Sequence, residues 1–391
     1  MNRRRTYGRH RLSRDAERLT WLAQGLADSG SRLEDAWWEA ELTTLIDKLL
    51  KQGDDEALNQ ALDRLHEASA PSQARAYEEL ADLIEAGCEV RRTGGTSRLL
   101  IALPVLAWSR YAIPARNIPA DIRDALRAQI SAHVLAAEAQ VHFADFLFSP
   151  DQLPQGYSQT RAFADELWQA AERGQDLKVA AETLPKSQTF ISDVRYLLAA
   201  VGVPAYSPVF RWNEPDGTRE GALAAWREQG GPNFQHLLAG CAYELLLPDA
   251  YFAAWRRTDQ ENRPFALKAA VAYLQALFNV PVTGLRAIVA PYFDRWLEEW
   301  RIGFTLHEAD QVVHGVTWPL LGQEDEGADI PGQVEAVLRA AGMTDIQILD
   351  TRMPLEYCDD CGAPLFPNPE GESVHTELPE DVQESPSARL H

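Results

Sequence analysis

Apolar residues recur at helical spacing along the N-terminal part of the chain. One stripe consists of Leu19, Leu22, Ala23 and Leu26, and a second consists of Trp38, Leu42, Leu45, Ile46 and Leu49. Both follow the i, i+3, i+4, i+7 spacing that places side chains on one face of a helix. The pattern predicts a helical segment over residues 15–90, whose short connections favour antiparallel packing.

Capping residues indicate where these helices begin. Ser31 and Glu34 have the spacing of a capping box, and Asp54 occupies a position typical of a later helix start. Trp37 and Trp38 follow the first of these caps, and we expect this pair to lie in the core rather than in a ligand cage.

Beyond residue 91 the pattern changes, because extended apolar runs alternate with helical ones. Three extended runs end at Trp108, Trp212 and Trp318, which are 104 and 106 residues apart. Helical runs follow at about 120–138, 218–229 and 331–341, each before a second extended run. The spacing predicts an α+β fold with about three related strand-helix-strand units and mixed sheets, at 91–190, 191–290 and 291–374. Chance is the alternative, since tryptophan occurs eleven times.

Composition and charge disfavour several classes of protein, among them membrane-spanning and secreted proteins. With 391 residues, 46% of them hydrophobic, the chain is long enough for several packed units. Its 58 acidic side chains outnumber 37 basic ones and give a formal charge of −21, which disfavours an extended nucleic-acid groove. No apolar run reaches the roughly eighteen residues of a membrane span, and no secretory pattern follows the N-terminus. Four scattered cysteines fit reduced thiols, so we expect a cytoplasmic protein without a membrane partner.

The two ends of the chain differ in charge. Residues 1–14 carry six arginines and no acid, which predicts a disordered basic arm. This arm is either a tail without a role or a docking segment for RNA, a ribosome or an acidic partner. Any nucleic-acid contact would use Arg3, Arg4, Arg5, Arg9 and Arg11. Residues 375–391 have too little apolar content to order themselves and predict a disordered acidic tail.

A C-x-x-C-G turn near the C-terminus is the clearest candidate in the sequence for a metal-binding or reactive site. Cys358 and Cys361 lie in the stretch YCDDCGAPLFPNPEGESVH, which ends at His375. Such a turn lets two sulfurs point at one ion, and its glycine tolerates a positive φ. We therefore consider Cys358, Cys361 and His375 as ligands of one structural zinc ion. A metal-free turn is the main alternative, and the fourth ligand is open between His307, His314, an acid or a second chain.

A redox role for the two cysteines is the third interpretation of this turn. Reactive C-x-x-C thiols usually lie at a helix N-terminus beside positive charge. Here Asp359 and Asp360 separate the cysteines, and we expect the two carboxylates to raise the thiol pKa. This expectation argues against thiol catalysis.

Scattered acids and histidines offer an enzymatic alternative. Asp151 and Asp249 each follow a proline at a predicted strand end, while His307 and His314 lie near predicted strands of the third unit and could face one another across a hairpin. A catalytic site between units could use these four residues, although turn acids and isolated histidines are the plainer interpretation. No Walker loop, dinucleotide fingerprint, H-E-x-x-H helix or nucleophile elbow is present in the sequence.

Four stretches carry a resemblance to a known family. They are LSRDAERLTWLAQGLADSGSRLED (12–35), LLIALPVLAWSRYAIP (99–114), FLFSPDQLP (146–154) and MPLEYCDDCGAPLFPNPEGE (353–372). Together, over essentially the full chain, they resemble the betaproteobacterial family catalogued as domain of unknown function 2863. The resemblance implies a cytoplasmic bacterial protein and supplies no catalytic residue. The resemblance includes the cysteine stretch, which makes Cys358 and Cys361 the best candidates for residues that the fold or the function requires.

The sequence as a whole favours a binding or regulatory scaffold over an enzyme. No set of base, nucleophile and oxyanion donors can be assembled from the spacing of residues. We therefore expect tandem α/β units that present a surface to an unknown protein partner, with the cysteine turn as a small structural site. An enzyme with a site between units and an RNA- or ribosome-associated protein are the alternatives.

Overall fold

The computed structural model describes residues 12–67, 71–188, 190–307, 309–322, 324 and 327–378. Most of the predicted basic arm, including Arg3, Arg4, Arg5, Arg9 and Arg11, lies outside the described residues. The predicted acidic tail is described only over residues 375–378. The roles of both ends therefore stay predictions.

Four helices form the N-terminal part of the described chain. They are α1 (Arg14–Asp28), α2 (Arg32–Gln52), α3 (Asp55–His66) and α4 (Pro71–Glu89). The side chains of Ser13, Ser31 and Asp54 cap the first three by accepting hydrogen bonds from the backbone N–H groups of Ala16, Leu33 and Ala57. The apolar stripes of α1 and α2 pack with those of α3 and α4 into one core. Trp38 lies against this core, but Trp37 is 51% exposed, so the prediction of a buried pair is wrong for Trp37.

The next part of the chain forms an antiparallel sheet. Its strands are β1 (Val90–Thr93), β2 (Thr96–Trp108), β3 (Arg116–Asn117), β4 (Gln140–Phe148), β5 (Ser192–Pro204), β6 (Ala242–Leu245) and β7 (Asp249–Ala250). The strand order is β1-β2-β5-β4-β3, and β6 and β7 pair with β2 along the same edge as β1, opposite β5. Alternate residues of β2 enter two different cores, with Leu103 on one face and Ala102 on the other. Burial of both faces explains why β2 and β5 are almost continuously apolar.

Helices cover both faces of this first sheet. They are α5 (Ala120–His133), α6 (Tyr157–Glu172), α7 (Arg219–Ala225) with a π-helical turn at Trp226–Gly230, and α8 (Tyr251–Phe278). The face with α5 and Trp226 forms one core, and the face with α6 and the start of α8 forms the other. The sheet is thus the middle layer of a three-layer arrangement.

A second, mixed sheet follows. Its strands are β8 (Leu285–Phe293), β9 (Leu297–Leu306), β10 (His314–Pro319), β11 (Asp345–Ile348) and β12 (Met353–Pro354), and α9 (Ile330–Ala340) connects β10 to β11. The order is β10-β9-β8-β11, in which β8 is antiparallel to β9 and parallel to β11 and β12. A short hairpin of β13 (Phe366–Pro367) and β14 (Ser373–Val374) ends the described fold. The predicted α+β class with mixed sheets is confirmed.

Helix α8 joins the two sheets. Its N-terminal residues, such as Tyr251, pack under the first sheet, whereas residues from Leu267 onward belong to the core of the second sheet. Pro264 lies inside the helix between these two parts. Within the described residues, no helix combines the length and the apolar character required to cross a bilayer.

The predicted threefold repeat is not confirmed. Trp108 ends β2 and Trp318 is buried in β10, but Trp212 lies in a 3-10 helix (Arg211–Asn213) and stacks on Phe210 at 4.4 Å between ring centroids. The expectation that Trp212 ends a strand is wrong, because the chain leaves β5 at Pro204 and turns at Tyr206, whose φ is 67°. Strand β5 also pairs with both β2 and β4, so the predicted first and second units share one sheet.

Candidate metal centre

A pair of glycines provides the place where the C-terminal hairpin lies on the second sheet. Gly303 on β9 and Gly315 on β10 are register partners. A Cβ atom on Gly303 would lie 2.2 Å from the carbonyl oxygen of Pro367, and one on Gly315 would lie 2.3 Å from the ring of Phe366. Because neither glycine has a side chain, β13 contacts the sheet at backbone distance.

Buried Arg301 holds both ends of the cysteine turn. Its guanidinium donates hydrogen bonds of 2.7 Å to the backbone carbonyls of Glu356 and Leu365, which precede and follow the two cysteines. The carboxylate of Glu299, two residues earlier on the same strand, accepts a further bond at 2.6 Å. The guanidinium also lies 4.3 Å from the ring centroid of Tyr292. A fully buried cation thus fixes the base of the turn through neutral carbonyls and one anion.

The turn itself is closed by backbone hydrogen bonds. The N–H of Cys358 donates to the carbonyl of Ala363, and the N–H of Gly362 donates to the carbonyl of Cys358, each at 2.8 Å. Gly362 has a φ of 72°, the left-handed conformation that the sequence predicted for this glycine. An isolated bridge between Tyr357 and Pro364 aligns the two strands of the turn.

The three predicted ligands lie together. One ligand atom from each of Cys358, Cys361 and His375 forms a group in which all separations are within 4.8 Å. The Sγ of Cys361 and the Nε2 of His375 are 3.2 Å apart. His375 reaches this position because it directly follows β14, whose partner strand β13 follows the turn. Two sulfurs and one imidazole nitrogen are a donor set that suits zinc, so this Cys2His group could hold a metal ion.

The backbone of the turn favours the thiolate form of Cys358. Hydrogen bonds from the N–H groups of Cys361 and Asp360 lower the pKa of the Cys358 thiol, and the Asp360 charge opposes them only in part. The charge of Asp360 does raise the pKa, as predicted, but the hydrogen bonds outweigh it and the net shift of the Cys358 pKa is downward. Sequence spacing revealed the acids but not the direction of the amide groups, which the tight turn aims at the sulfur.

The group is accessible from solvent. Cys361 and His375 are exposed and Cys358 is half-buried. In the part of the chain that the structure describes, neither of the two histidines considered as a fourth ligand joins the group. A metal ion held by these three described residues would thus keep one coordination position for a further ligand, at a group that is open to solvent.

The acids and histidines of the enzymatic alternative lie in four different surroundings. The carboxylate of Asp151 accepts from the backbone N–H of Gln188, and that of Asp249 pairs with Arg219 at 3.0 Å. His307 lies 2.8 Å from a carboxylate oxygen of Asp345, while the ring of His314 lies near those of Tyr273 and Phe304. The structure therefore does not bring these four residues together.

The two histidines do not face one another across the hairpin. His314 pairs with Phe304 in the β9-β10 register, so His307 lies three residues farther along the chain. Three residues of an extended strand span roughly 10 Å. The register of the two strands, which the sequence pattern does not specify, decides this separation.

Sequence reasoning missed the residues that position the turn. Arg301, Gly303 and Gly315 carry no motif, yet they determine where the C-terminal segment lies. An isolated glycine inside a strand pattern is a known sign of close backbone approach, and two of them in neighbouring strands could have indicated this contact. Arg301 gave a weaker signal, because it lies in a strand that also carries Glu298 and Glu299.

The comparisons with known proteins identify a family rather than an activity. No curated protein and no solved structure matches the chain. A family match extends over residues 4–389, which is nearly the whole chain. The chain therefore belongs to the family described as protein of unknown function (DUF2863).

Proposed function

We propose that the protein is a non-enzymatic binding or regulatory scaffold whose C-terminal segment is held by a structural zinc ion on Cys358, Cys361 and His375. The observation that supports this proposal is the convergence of three ligand atoms within 4.8 Å on a rigidly seated turn. In a tetrahedral zinc site, sulfur and nitrogen ligands lie roughly 3.5 to 3.8 Å apart. Side-chain adjustments of about 1 Å would therefore complete three of the four bonds.

In this proposal, a ligand from a partner protein occupies the fourth coordination position of the zinc ion, so that the metal takes part in protein binding. Closed structural zinc sites have four protein ligands, so a site with three described ligands is completed by water, by another part of this chain or by a group from another molecule. A carboxylate or imidazole of a partner protein is a suitable ligand for this position. The ion would then stabilise the turn and also provide a contact point on the surface of the second sheet.

Metal content provides the first test. Protein purified without a chelator is expected to contain about one zinc ion per chain by elemental mass spectrometry, and native mass is expected to show the same stoichiometry. A double variant with Cys358→Ser and Cys361→Ser is expected to lose this zinc. Cys241→Ser, which changes a half-buried cysteine elsewhere, serves as the matched control and is expected to keep it.

The scaffold part of the proposal requires a separate measurement. Affinity purification with quantitative mass spectrometry is expected to find a protein that the wild type enriches and that the double cysteine variant loses by about tenfold. Absence of stoichiometric zinc in the wild type would contradict the metal site. An identical set of bound proteins for wild type and variant would instead contradict the role of the metal in binding.

A further inference from the structure

A cleft of about 680 Å³ lies where the N-terminal helices meet the helices of the first sheet. Its walls come from α3, α4, the segment that leads into α6, and the first half of α8. The side chains that define its chemistry are Asp55, Glu85, Tyr157, Phe252, Trp255 and Asp259. A volume of this size is typical of a site for a small molecule.

Fixed contacts between elements hold the cleft open. Asp55 of α3 accepts hydrogen bonds from the backbone N–H and the hydroxyl of Ser158, so it caps the start of α6 from another helix. Gly156 has a φ of 101°, and a Cβ atom there would lie 2.5 Å from the Asp55 carboxylate. On the opposite side, Glu89 of α4 accepts a 3.1 Å hydrogen bond from the N–H of Phe252. These contacts make the cleft preformed.

The cleft has an excess of negative charge. Asp55, Glu85 and Asp259 contribute three carboxylates, while Arg256 contributes one guanidinium. Arg256 forms an ion pair with Glu85, so its charge is already compensated inside the cleft. The lining side chains therefore carry a formal net charge of about −2, which favours a cation.

Three aromatic rings select the type of cation. The rings of Tyr157 and Phe252 have centroids 6.0 Å apart with an interplanar angle of 47°, and Trp255 lines the same cleft. Aromatic faces attract ammonium and guanidinium groups, and they also pack against an apolar body. In the described residues, the carboxylates of this cleft do not form a group close enough to hold a metal ion. The combination thus favours an organic cation over an inorganic one.

We propose that this cleft binds a small organic cation, with an ammonium or guanidinium group beside the carboxylates and an alkyl chain against the aromatic rings. The carboxylates compensate the charge of the ligand, and the rings exclude water from its chain. The proposal does not depend on the cysteine turn, since the lining residues belong to other elements of the fold.

Calorimetric titration of the full-length protein with spermidine and agmatine tests this proposal. In about 150 mM salt, we expect saturable binding of at least one amine at a dissociation constant below about 1 mM. The neutral probe 1,6-hexanediol is expected not to bind. Asp259→Asn and Trp255→Leu are each expected to weaken amine binding by about tenfold, because one removes charge and the other removes a ring.

A matched control distinguishes amine binding in the cleft from nonspecific attraction of cations to an acidic protein. Glu298→Gln removes one charge from an exposed position on β9 in the second sheet and is expected to leave the titration unchanged. Two cleft variants are used so that a folding defect in one, seen in its melting curve, does not decide the result. The proposal is overturned if neither amine binds with a dissociation constant below about 1 mM, if the diol binds equally well, or if the control substitution weakens binding as much as the cleft variants do.

Discussion

Two buried arginines illustrate how single residues organise this fold. Arg195 on β5 pairs with Asp193, and Arg301 on β9 pairs with Glu299, so each acid lies two residues earlier on the same face of the strand. Each guanidinium also donates to backbone carbonyls of a loop segment outside its own strand. A buried charge removed from its partners costs several kcal/mol, so each arginine strongly favours one position of the loop segment whose carbonyls it binds.

Glu89 is a residue at which pH should change stability. Burial raises the pKa of its carboxyl to about 7. In the unfolded chain the group loses its proton near its ordinary pKa, whereas the folded protein retains the proton to higher pH. The contribution of Glu89 to folding stability therefore falls as the pH rises from about 4.5 to about 7 and changes little above that range.

Replacement of Glu89 by Gln is expected to remove this dependence. The amide still accepts the hydrogen bond from Phe252 but carries no charge. The variant is expected to gain stability over the wild type by about 2 kcal/mol more at pH 8 than at pH 5, measured by urea unfolding. Glu78→Gln, an exposed position on the same helix, is the control. A gain that is independent of pH would show that the charge of Glu89 is not the cause.

At the level of elements, the contact between the C-terminal hairpin and the second sheet depends on the absence of two side chains. Gly315→Ala is expected to push Phe366 off the sheet and to destabilise the protein by about 1 to 3 kcal/mol, since the ring is packed where the methyl group would lie. Urea unfolding measures this loss. The zinc content is expected to fall as well, because the hairpin positions His375.

The control for this prediction is another strand glycine. A methyl group on Gly202 of β5 would have open space around it, with no atom of the described residues within 4 Å. Gly202→Ala is therefore expected to leave stability within about 0.5 kcal/mol of the wild type. Equal effects of the two substitutions would mean that strand conformation, rather than the hairpin contact, determines the cost.

At the level of the whole molecule, the proposed zinc ion lies at one end of an arrangement in which α8 connects two separate sheets. The C-terminal segment contacts β8 and β9, and Leu378, the last described residue, packs in the core of the second sheet. Loss of the metal is therefore expected to loosen the second sheet locally rather than to unfold α1 to α4.

Hydrogen exchange with and without a zinc chelator measures this difference. Backbone amides of residues 353–378 are expected to exchange at least about tenfold faster after chelation, while those of α1 to α4 keep their rates. The double cysteine variant should show the faster rates without chelator. A uniform acceleration along the chain would instead indicate that the ion stabilises the molecule globally.

The sequence predicted the features that depend on near neighbours. Helix starts at Ser31 and Asp54, the helices after β2 and β10, and the turn at Gly362 follow from residues a few positions apart. The convergence of Cys358, Cys361 and His375 is also a feature of residues that are close in sequence, because only a short hairpin separates the turn from the histidine.

The tertiary structure decided the features that depend on distant residues. Strand β5 lies between β2 and β4, Arg301 binds carbonyls more than fifty residues away, and the cleft unites residues from Asp55 to Asp259. Periodicity reports which face of an element is apolar, but it does not report which other element will cover that face. Pairing, register and the direction of amide groups result from the packing of the whole chain. Here they joined the first two predicted units into one sheet and oriented the amide groups of the cysteine turn.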